Sequence, residues 1–251
     1  TYLLDLQILY VIDNSDTINT RLISRIKEEE KAVYISNQGN LGLAKALNMG
    51  AEFAIADGFQ WLMTLDQDSR ATKEMVSNML DYILNCDSDQ AAIVSPFHTD
   101  IKTQQAPKDG FEKCLTVMTS GNLVNLNIFQ KVGPFLEKLF IDNIDDEYCL
   151  RVRKKGYQVI RVNSAILKHQ LGNQSLYAWG IIVTHHNVFR RYYITRNRLY
   201  IFRKYKEAFP EYCRFLVKEN LKDLVKILLF EKEKIKKIKS MFFGYLDSRK
   251  L

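Results

Sequence analysis

The fold class this chain predicts is α/β, and three observations carry it. Short apolar runs alternate with segments of helical period, two of the runs end in aspartate, and a loop rich in glycine and asparagine lies between those two. Such alternation argues a mixed, mostly parallel sheet flanked by helices. The first run, over residues 7–12, reads as a strand ending at Asp13-Asn14-Ser15. A helix around 19–29 and a short strand over 32–36 follow. Asn37-Gln38-Gly39-Asn40-Leu41-Gly42 suits a tight loop, and the alanine-rich stretch to Ala56 suits a helix packed close to a sheet. Residues 59–65 are aromatic and aliphatic enough for a buried strand. The helix predicted over 72–85 carries Met75, Met79 and Ile83 as a core stripe. Strands over 91–95 and 114–118 and a helix over 127–132, ended by Gly133-Pro134, complete this part of the chain.

Chemistry gathers where the strands end. Asp66-Gln67-Asp68 follows the run over 59–65, and two acids at i and i+2 beside a core are costly unless a cation or a sugar hydroxyl takes up their charge. Hard divalent ions, Mg²⁺ or Mn²⁺, prefer such oxygen ligands, and Mg²⁺ shares one or two carboxylates with a substrate diphosphate. In open α/β sheets ligands collect at the carboxyl ends of strands, so Asp13 and Asp66 can border one crevice. The glycine and asparagine loop is neither a P-loop nor a dinucleotide fingerprint, because no Gly-Lys-Ser/Thr and no Gly-x-Gly-x-x-Gly is present there. Downstream, Asp142-Asn143-Ile144-Asp145-Asp146-Glu147 opens a helix that Lys154-Lys155-Gly156 ends. Four acids in six residues repel one another and can raise one pKa toward neutrality, which suits proton abstraction.

In order and spacing these segments resemble the inverting glycosyltransferases of family two, and within them bacterial rhamnosyltransferases. The similarity rests on Val11-Ile12-Asp13-Asn14-Ser15, Asn40-x-Gly42-x-Ala44-x-Ala46-x-Asn48-x-Gly50 and Thr64-Leu65-Asp66-Gln67-Asp68-Ser69. It continues through Thr119-Ser120-Gly121-Asn122, Val132-Gly133-Pro134-Phe135, Leu139-Phe140-Ile141-Asp142 and Asp145-x-Glu147-x-Cys149-Leu150-Arg151. Lys155-Gly156-Tyr157, His169-x-Leu171-Gly172 and Arg190-Arg191-Tyr192-Tyr193-x-x-Arg196-Asn197 extend it over nearly the whole chain. The resemblance implies a GT-A fold, a Rossmann-like nucleotide-diphospho-sugar transferase, with Asp145 as the base and Glu147 next in line. It implies donor contacts from Asp13, Asn14, Asn40, Gly42, Asn48, Asp66 and Gln67, and a divalent metal, Mg or Mn, on Asp68 and His169. Gly121, His186, Arg190 and Arg191 are candidates for the diphosphate or the acceptor, Arg because its fork matches phosphate oxygens. The expected reaction moves a sugar, L-rhamnose from dTDP-rhamnose first, onto a saccharide acceptor of a cell-surface polysaccharide. Galactofuranosyl transfer, a sugar nucleotidyltransferase and a membrane-surface scaffold are the alternatives. At the start, Thr1-Tyr2-Leu3-Leu4-Asp5-Leu6 resembles the end of the helix after the family's first strand, which implies a sheet lacking that strand.

Charge divides the chain. Residues 1–188 hold 18 Lys/Arg against 22 Asp/Glu and residues 189–251 hold 18 against 7, so net charges of −4 and +11 mark a boundary near Phe189. The predicted organisation is a catalytic domain over 1–188 and a basic helical region over 189–251. Its helices, over 192–208, 211–230 and 232–243, interleave apolar and basic residues, and Leu221, Leu224, Val225, Leu228 and Leu229 form one apolar face. Basic amphipathic helices bind anionic lipid or pack on their own domain, and the resemblance implies a lipid-linked acceptor at the inner face of the plasma membrane. Nucleic acid is not expected as a partner, because its familiar motifs are absent and the basic region lies apart from the acidic residues. A homo-oligomer is left open. Cys86, Cys114, Cys149 and Cys213 lack Cys-x-x-Cys spacing, which favours reduced thiols in a cytosolic protein.

Overall fold

The computed structural model describes residues 6–86, 88–99, 110–169, 174–176 and 182–251, and of residues 169, 174–176 and 182 only the backbone. Two parallel strands, β1 (Leu9–Asp13) and β2 (Ala32–Ser36), are joined through α1 (Thr20–Lys27), whose first turn is capped by the Asn19 side chain. Helix α2 (Leu43–Ala56) buries Ala44, Ala46, Ala51 and Ala54. Small side chains on one face let it approach both β1 and β3 (Trp61–Met63).

The main sheet runs in the order β3, β7 (Leu123–Asn125), β5 (Ala91–Thr99), β8 (Gln158–His169), β4 (Ser69–Ala71), with β6 (Phe111–Cys114) also on β8. β5 is buried from Ala91 to Pro96 and forms the middle of the core with β8. The sheet is mixed, as expected, but its parallel share is smaller than the alternation suggests. Among the described residues only β1–β2 and β5–β8 are parallel pairs. The reason is that β7 and β4 return beside β5 and β8 in the opposite sense, a choice of strand order that no local pattern encodes. Among the described residues β1 pairs only with β2 and β3 only with β7, so each leaves one edge unpaired. Residues 1–5, on which the expectation about the first strand depends, lie outside the described residues.

Two expected elements shift, each for a visible cause. The strand expected over 59–65 is regular only over Trp61–Met63, because Thr64 turns to exchange hydrogen bonds with Gly121 and Asn122. The strand expected over 114–118 is instead β6, since the ladder ends where Cys114 meets Val159. Helix α3 (Met75–Asn85) starts three residues late, with Thr72 bonded to the Ile166 carbonyl through both N–H and hydroxyl. Met75, Val76 and Met79 are buried there as the predicted stripe requires, whereas Ile83 packs only at the cluster's margin.

Helices α4 (Leu126–Val132) and α5 (Ile144–Lys154) cover the sheet on the side of α2, and a 3-10 turn, Glu137–Leu139, links them. The C-terminal region forms α6 (Val188–Tyr205), α7 (Pro210–Phe230) and α8 (Lys234–Asp247). α6 does not stand apart from the rest. Tyr200, Ile201 and Tyr205, with Cys213 and Leu216 of α7, belong to the same apolar cluster as α5 and the sheet. α7 has apolar residues on two sides: Cys213, Leu216 and Ile227 are buried on one, while the predicted face of Leu221, Val225, Leu228 and Leu229 stays exposed on the other.

Candidate active site

The loops that follow β1 and β2 are tied together by asparagine side chains. Asn14, after β1, donates to Asn40 Oδ1 at 3.2 Å and accepts from Asn37 at 3.0 Å and from the Leu41 N–H at 2.9 Å. Asn40 Oδ1 also receives the Gly42 N–H at 3.0 Å. Asp13 accepts from Ser15 and, at 2.6 Å, from Tyr34, and these donors hold its carboxyl below the usual range. Asp13, Asn14 and Asn40 thus line one rim as an exposed or half-exposed polar set.

Gly42 joins this rim to the next loop. Its φ of +88° is open to glycine, and an added Cβ would lie 2.7 Å from Phe140 Cδ2 and 2.9 Å from the Phe140 carbonyl. Leu43 N–H bonds that same carbonyl at 2.7 Å. Asn48, expected at the donor, is instead 2 % exposed and exchanges bonds with the Phe135 N–H and carbonyl at 2.8 and 2.9 Å. Its amide is the right shape to mimic a backbone pair, and this is a correction: Asn48 ties α2 to the chain before α5 and is closed to a ligand.

The Asp66-Gln67-Asp68 loop is stitched to residues 119–122. Asp66 N–H donates to Ser120 Oγ at 3.0 Å, Ser120 Oγ meets Ser69 Oγ at 2.7 Å, and Thr64 Oγ1 donates to the Thr119 carbonyl at 2.6 Å. Gln67 and Asp68 are exposed and Asp66 half-buried. Gly121, a candidate ligand contact, is buried with φ +83° and gives its N–H to the Thr64 carbonyl at 2.6 Å. Its place is explained by that turn, a second correction.

Ser69 of β4 is in register opposite His169 of β8, so the backbone of Asp68, one residue before β4, lies beside the end of β8. The donor set fits a hard divalent cation. Asp66 and Asp68, two residues apart, offer carboxylate oxygens of the kind Mg²⁺ shares with a diphosphate. Among the described residues no three His, Cys, Asp or Glu side chains gather to hold a metal by themselves.

Asp145, on the first turn of α5, lines a cavity of about 10 Å³, room for about one water, together with Thr64, Thr119, Asn122, Tyr148 and Cys149. Thr64, just after β3, and the helix that carries Asp145 therefore meet at one cavity. The carboxylate of Asp145 accepts from the backbone N–H groups of Asp146, at 2.9 Å, and of Asp145 itself. Burial, then the charges of Asp146 and Asp142, raise its pKa to about 8. The helix N-terminus favours the charged form by only about 0.3–1 kcal/mol, and here the dense surroundings win. Asn122 Oδ1 and Tyr148 Oη, both buried, have no hydrogen-bond partner in the described structure, and a hydroxyl or water could satisfy such groups.

Glu147 corrects the expectation of a second base. It is fully buried, with Oε1 taken by Lys204 at 2.8 Å and Tyr205 at 2.7 Å and Oε2 by Arg151 at 3.0 Å, so it anchors α6 to α5. Arg190 and Arg191, adjacent in sequence, part company in space. Arg190 forks onto Asp142, just before α5. Arg191 is 1 % exposed and pairs with Asp223 at 3.0 Å and with Glu231, so it closes the helical region from inside rather than meeting a diphosphate. His186 is half-buried near Asp142, and burial, then the charges of Arg190 and Arg191, lower its pKa to about 4. It is neutral at pH 7 and able to donate one hydrogen bond.

The loop over 140–143 is held in a demanding shape. Phe140, Asp142 and Asn143 have φ of 64°, 63° and 58°. Asn197 Nδ2 binds the carbonyls of Leu139, Ile141 and Asp142 at 2.8–2.9 Å, and Arg196 those of Lys138 and Leu139. Sequence reasoning gave Arg196 and Asn197 no role in the site. Their signal was their place at the end of the family-like run Arg190-Arg191-Tyr192-Tyr193-x-x-Arg196-Asn197.

The family described as glycosyl transferase family 2 matches residues 2–155. The dTDP-rhamnosyl transferase RfbF of Shigella flexneri is 30% identical over 213 residues, 78% of this chain and 71% of that protein. The structure of S. aureus TarS residues 1–349 superposes with a TM-score of 0.57 at 12% identity, covering 96% of this chain and 71% of TarS. GalNAc-T7, solved with UDP, GalNAc and Mn²⁺, gives a TM-score of 0.54 at 13% identity over 65% of this chain; the chain spans 38% of that structure's length. Both structures share the GT-A fold with this chain.

Proposed function

The chain belongs to glycosyl transferase family 2, and on that premise we propose that it transfers L-rhamnose from dTDP-rhamnose to a hydroxyl of a saccharide acceptor, inverting the anomeric configuration, in polysaccharide synthesis. The observation that supports the reading is that Asp145 shares one cavity with Thr64 and Thr119, the residues next to which the Asp66-Gln67-Asp68 loop starts and is tied to Ser120. Asp145 takes the proton as the acceptor O–H bond breaks. The freed oxygen pair bonds to the anomeric carbon while the bond from that carbon to the diphosphate oxygen breaks, and dTDP leaves. A carboxyl poised near the working pH suits this task, since a stronger acid would be a poorer base. Asp13, Asn14 and Asn40 border the place of the nucleotide, with Asp66 toward the ribose and Gly42 shaping the loop. Asp68 and His169 would hold a divalent metal, which when bound neutralises charge developing on the diphosphate. Arg190 and His186 are the groups nearest to add donors at the diphosphate or acceptor side.

The acceptor is proposed to be lipid-linked, with the protein resting on an anionic membrane surface at the cytoplasmic face. Leu221, Val225, Leu228 and Leu229 are exposed on α7 among Lys218, Lys222 and Lys226, a combination that favours an anionic interface. No helix among the described residues is long and apolar enough to cross a membrane.

The test is thermal stabilisation by dTDP, UDP and GDP with and without Mn²⁺, followed by mass spectrometry of products from dTDP-rhamnose. The expected order is dTDP with Mn²⁺ first. Asp68→Ala should lose the metal-dependent part of the shift, and Asp145→Asn should keep it while losing transfer by about 10²–10⁴-fold. Wild-type turnover by either variant removes the assigned role.

A further inference from the structure

Asp142, Asp145, Asp146 and Glu147 crowd the start of α5, yet three of the four are compensated from the C-terminal helices. Arg190 of α6 forks Asp142, and Lys204 and Tyr205 of α6 hold Glu147. The third compensation comes from α7. The Tyr212 hydroxyl donates to Asp146 Oδ1, while Asn143 Nδ2 donates to Asp146 Oδ2 at 2.6 Å. Thr116 Oγ1 donates to the Tyr212 oxygen at 3.4 Å, which leaves the Tyr212 hydrogen for Asp146. Asp145 alone receives no side-chain donor among the described residues.

We propose that Tyr212 is a positioning residue of this site: its hydrogen bond engages Asp146 and leaves Asp145 as the carboxylate that takes up the acceptor's proton. The inference rests on the reading of Asp145 as the base. The charge of Asp146 disfavours a second negative charge at Asp145. Tyr212 remains a donor across the working range, because burial and then Asp146 raise its own pKa. The other groups around Asp145 are Asp142 from the preceding loop, with Arg190 and His186 beyond it, and Cys149 and Tyr148 on α5. None of them is a donor to Asp146. The basic helical region is thereby part of the catalytic apparatus, whatever else its outer face does.

The experiment measures transfer kcat/KM against pH for the full chain, Tyr212→Phe, Asp146→Asn and the double variant. Asp146→Asn removes the neighbouring charge and should move the acid limb to lower pH by about one unit. Tyr212→Phe removes the donor that engages Asp146 Oδ1 and lets that carboxylate compete with Asp145 for the proton, so it should move the limb the same way by roughly half as much, with donor KM unchanged. In the double variant Tyr212→Phe should add nothing to Asp146→Asn. Tyr205→Phe, which loosens Glu147 instead, serves as the control for a purely structural effect: it should lower Tm and leave the limb in place. An unmoved or upward-moving limb in Tyr212→Phe, or strict additivity in the double variant, overturns the proposal. Should Tyr212→Phe not fold, Asp146→Asn and Thr116→Val, which frees the Tyr212 oxygen, carry the test: an unmoved limb in Asp146→Asn overturns it. Full transfer by Asp145→Asn would instead overturn the assignment of the base, a different result from loss of transfer there with an unmoved limb in Tyr212→Phe.

Discussion

Glu147→Gln separates a structural carboxylate from a catalytic one two residues away. The substitution keeps the side chain's shape and one oxygen acceptor but removes the charge that faces Lys204 and Arg151. Glu147 is 0 % exposed, and removing one member of a buried ion pair costs about 3–5 kcal/mol. The structure places this case at the low end. The Lys204 side chain is 35% exposed and can be hydrated, and Arg151 keeps bonds to the carbonyls of Val132, Gly133 and Pro134 at 3.2, 3.1 and 2.7 Å. A loss of about 3 kcal/mol follows, which for a chain of this size lowers Tm by roughly 6–12 °C. The assay is a thermal melt beside initial rates at about 20 °C, well below the transition, where kcat should stay within about threefold of the parent because no reacting atom is touched. A Tm change below about 2 °C together with a hundredfold loss of kcat would refute the reasoning and return Glu147 to the role of proton acceptor.

Two further outcomes follow from the same geometry. Because the Asp145 pKa rises from 3.8 to about 8 on folding, the native state holds a proton that the unfolded chain releases, so stability falls as pH rises through that window. Melts at pH 5 and pH 8.5 should therefore show Asp145→Asn gaining on the parent at the higher pH, and parallel curves would sink the assignment. Gly121→Ala places a Cβ 2.7 Å from Pro96 Cγ and 2.9 Å from Leu167 Cδ2 at φ +83°, so left-handed strain and overpacking together should cost about 2–4 kcal/mol. A denaturant midpoint that implies less than about 1 kcal/mol would show that the 119–122 loop yields more readily than its contacts indicate.

α7 carries apolar residues on two sides, and packing covers one of them. At about 100° per residue Leu216 and Ile227 lie across the helix from Leu221, Val225, Leu228 and Leu229, and only the first side reaches the interior. Periodicity reports which residues share a side, and the position of the neighbours decides which side is covered. Arg190 and Arg191 show the same division for charge: one step along α6 turns one guanidinium to Asp142 and the other to Asp223 and Glu231.

Read alone, the sequence determined the α/β class, the helices and the strand ends, because these follow from apolar period and from glycine and asparagine at turns. It also marked Asp66, Asp68 and the acids before α5, since carboxylates at such density beside apolar runs need a chemical reason. Tertiary structure alone decided which acid is left without a side-chain partner. Asp145, Asp146 and Glu147 are consecutive or nearly so, and nothing local distinguishes them; Tyr212, Lys204 and Tyr205, more than fifty residues later, do. The same holds for Asn48 and Gly121, whose family-like positions are explained by a buried backbone-mimicking amide and by a close turn against Pro96. Burial and hydrogen-bond partners depend on contacts between distant segments, and a side chain's protonation state and reach depend on both.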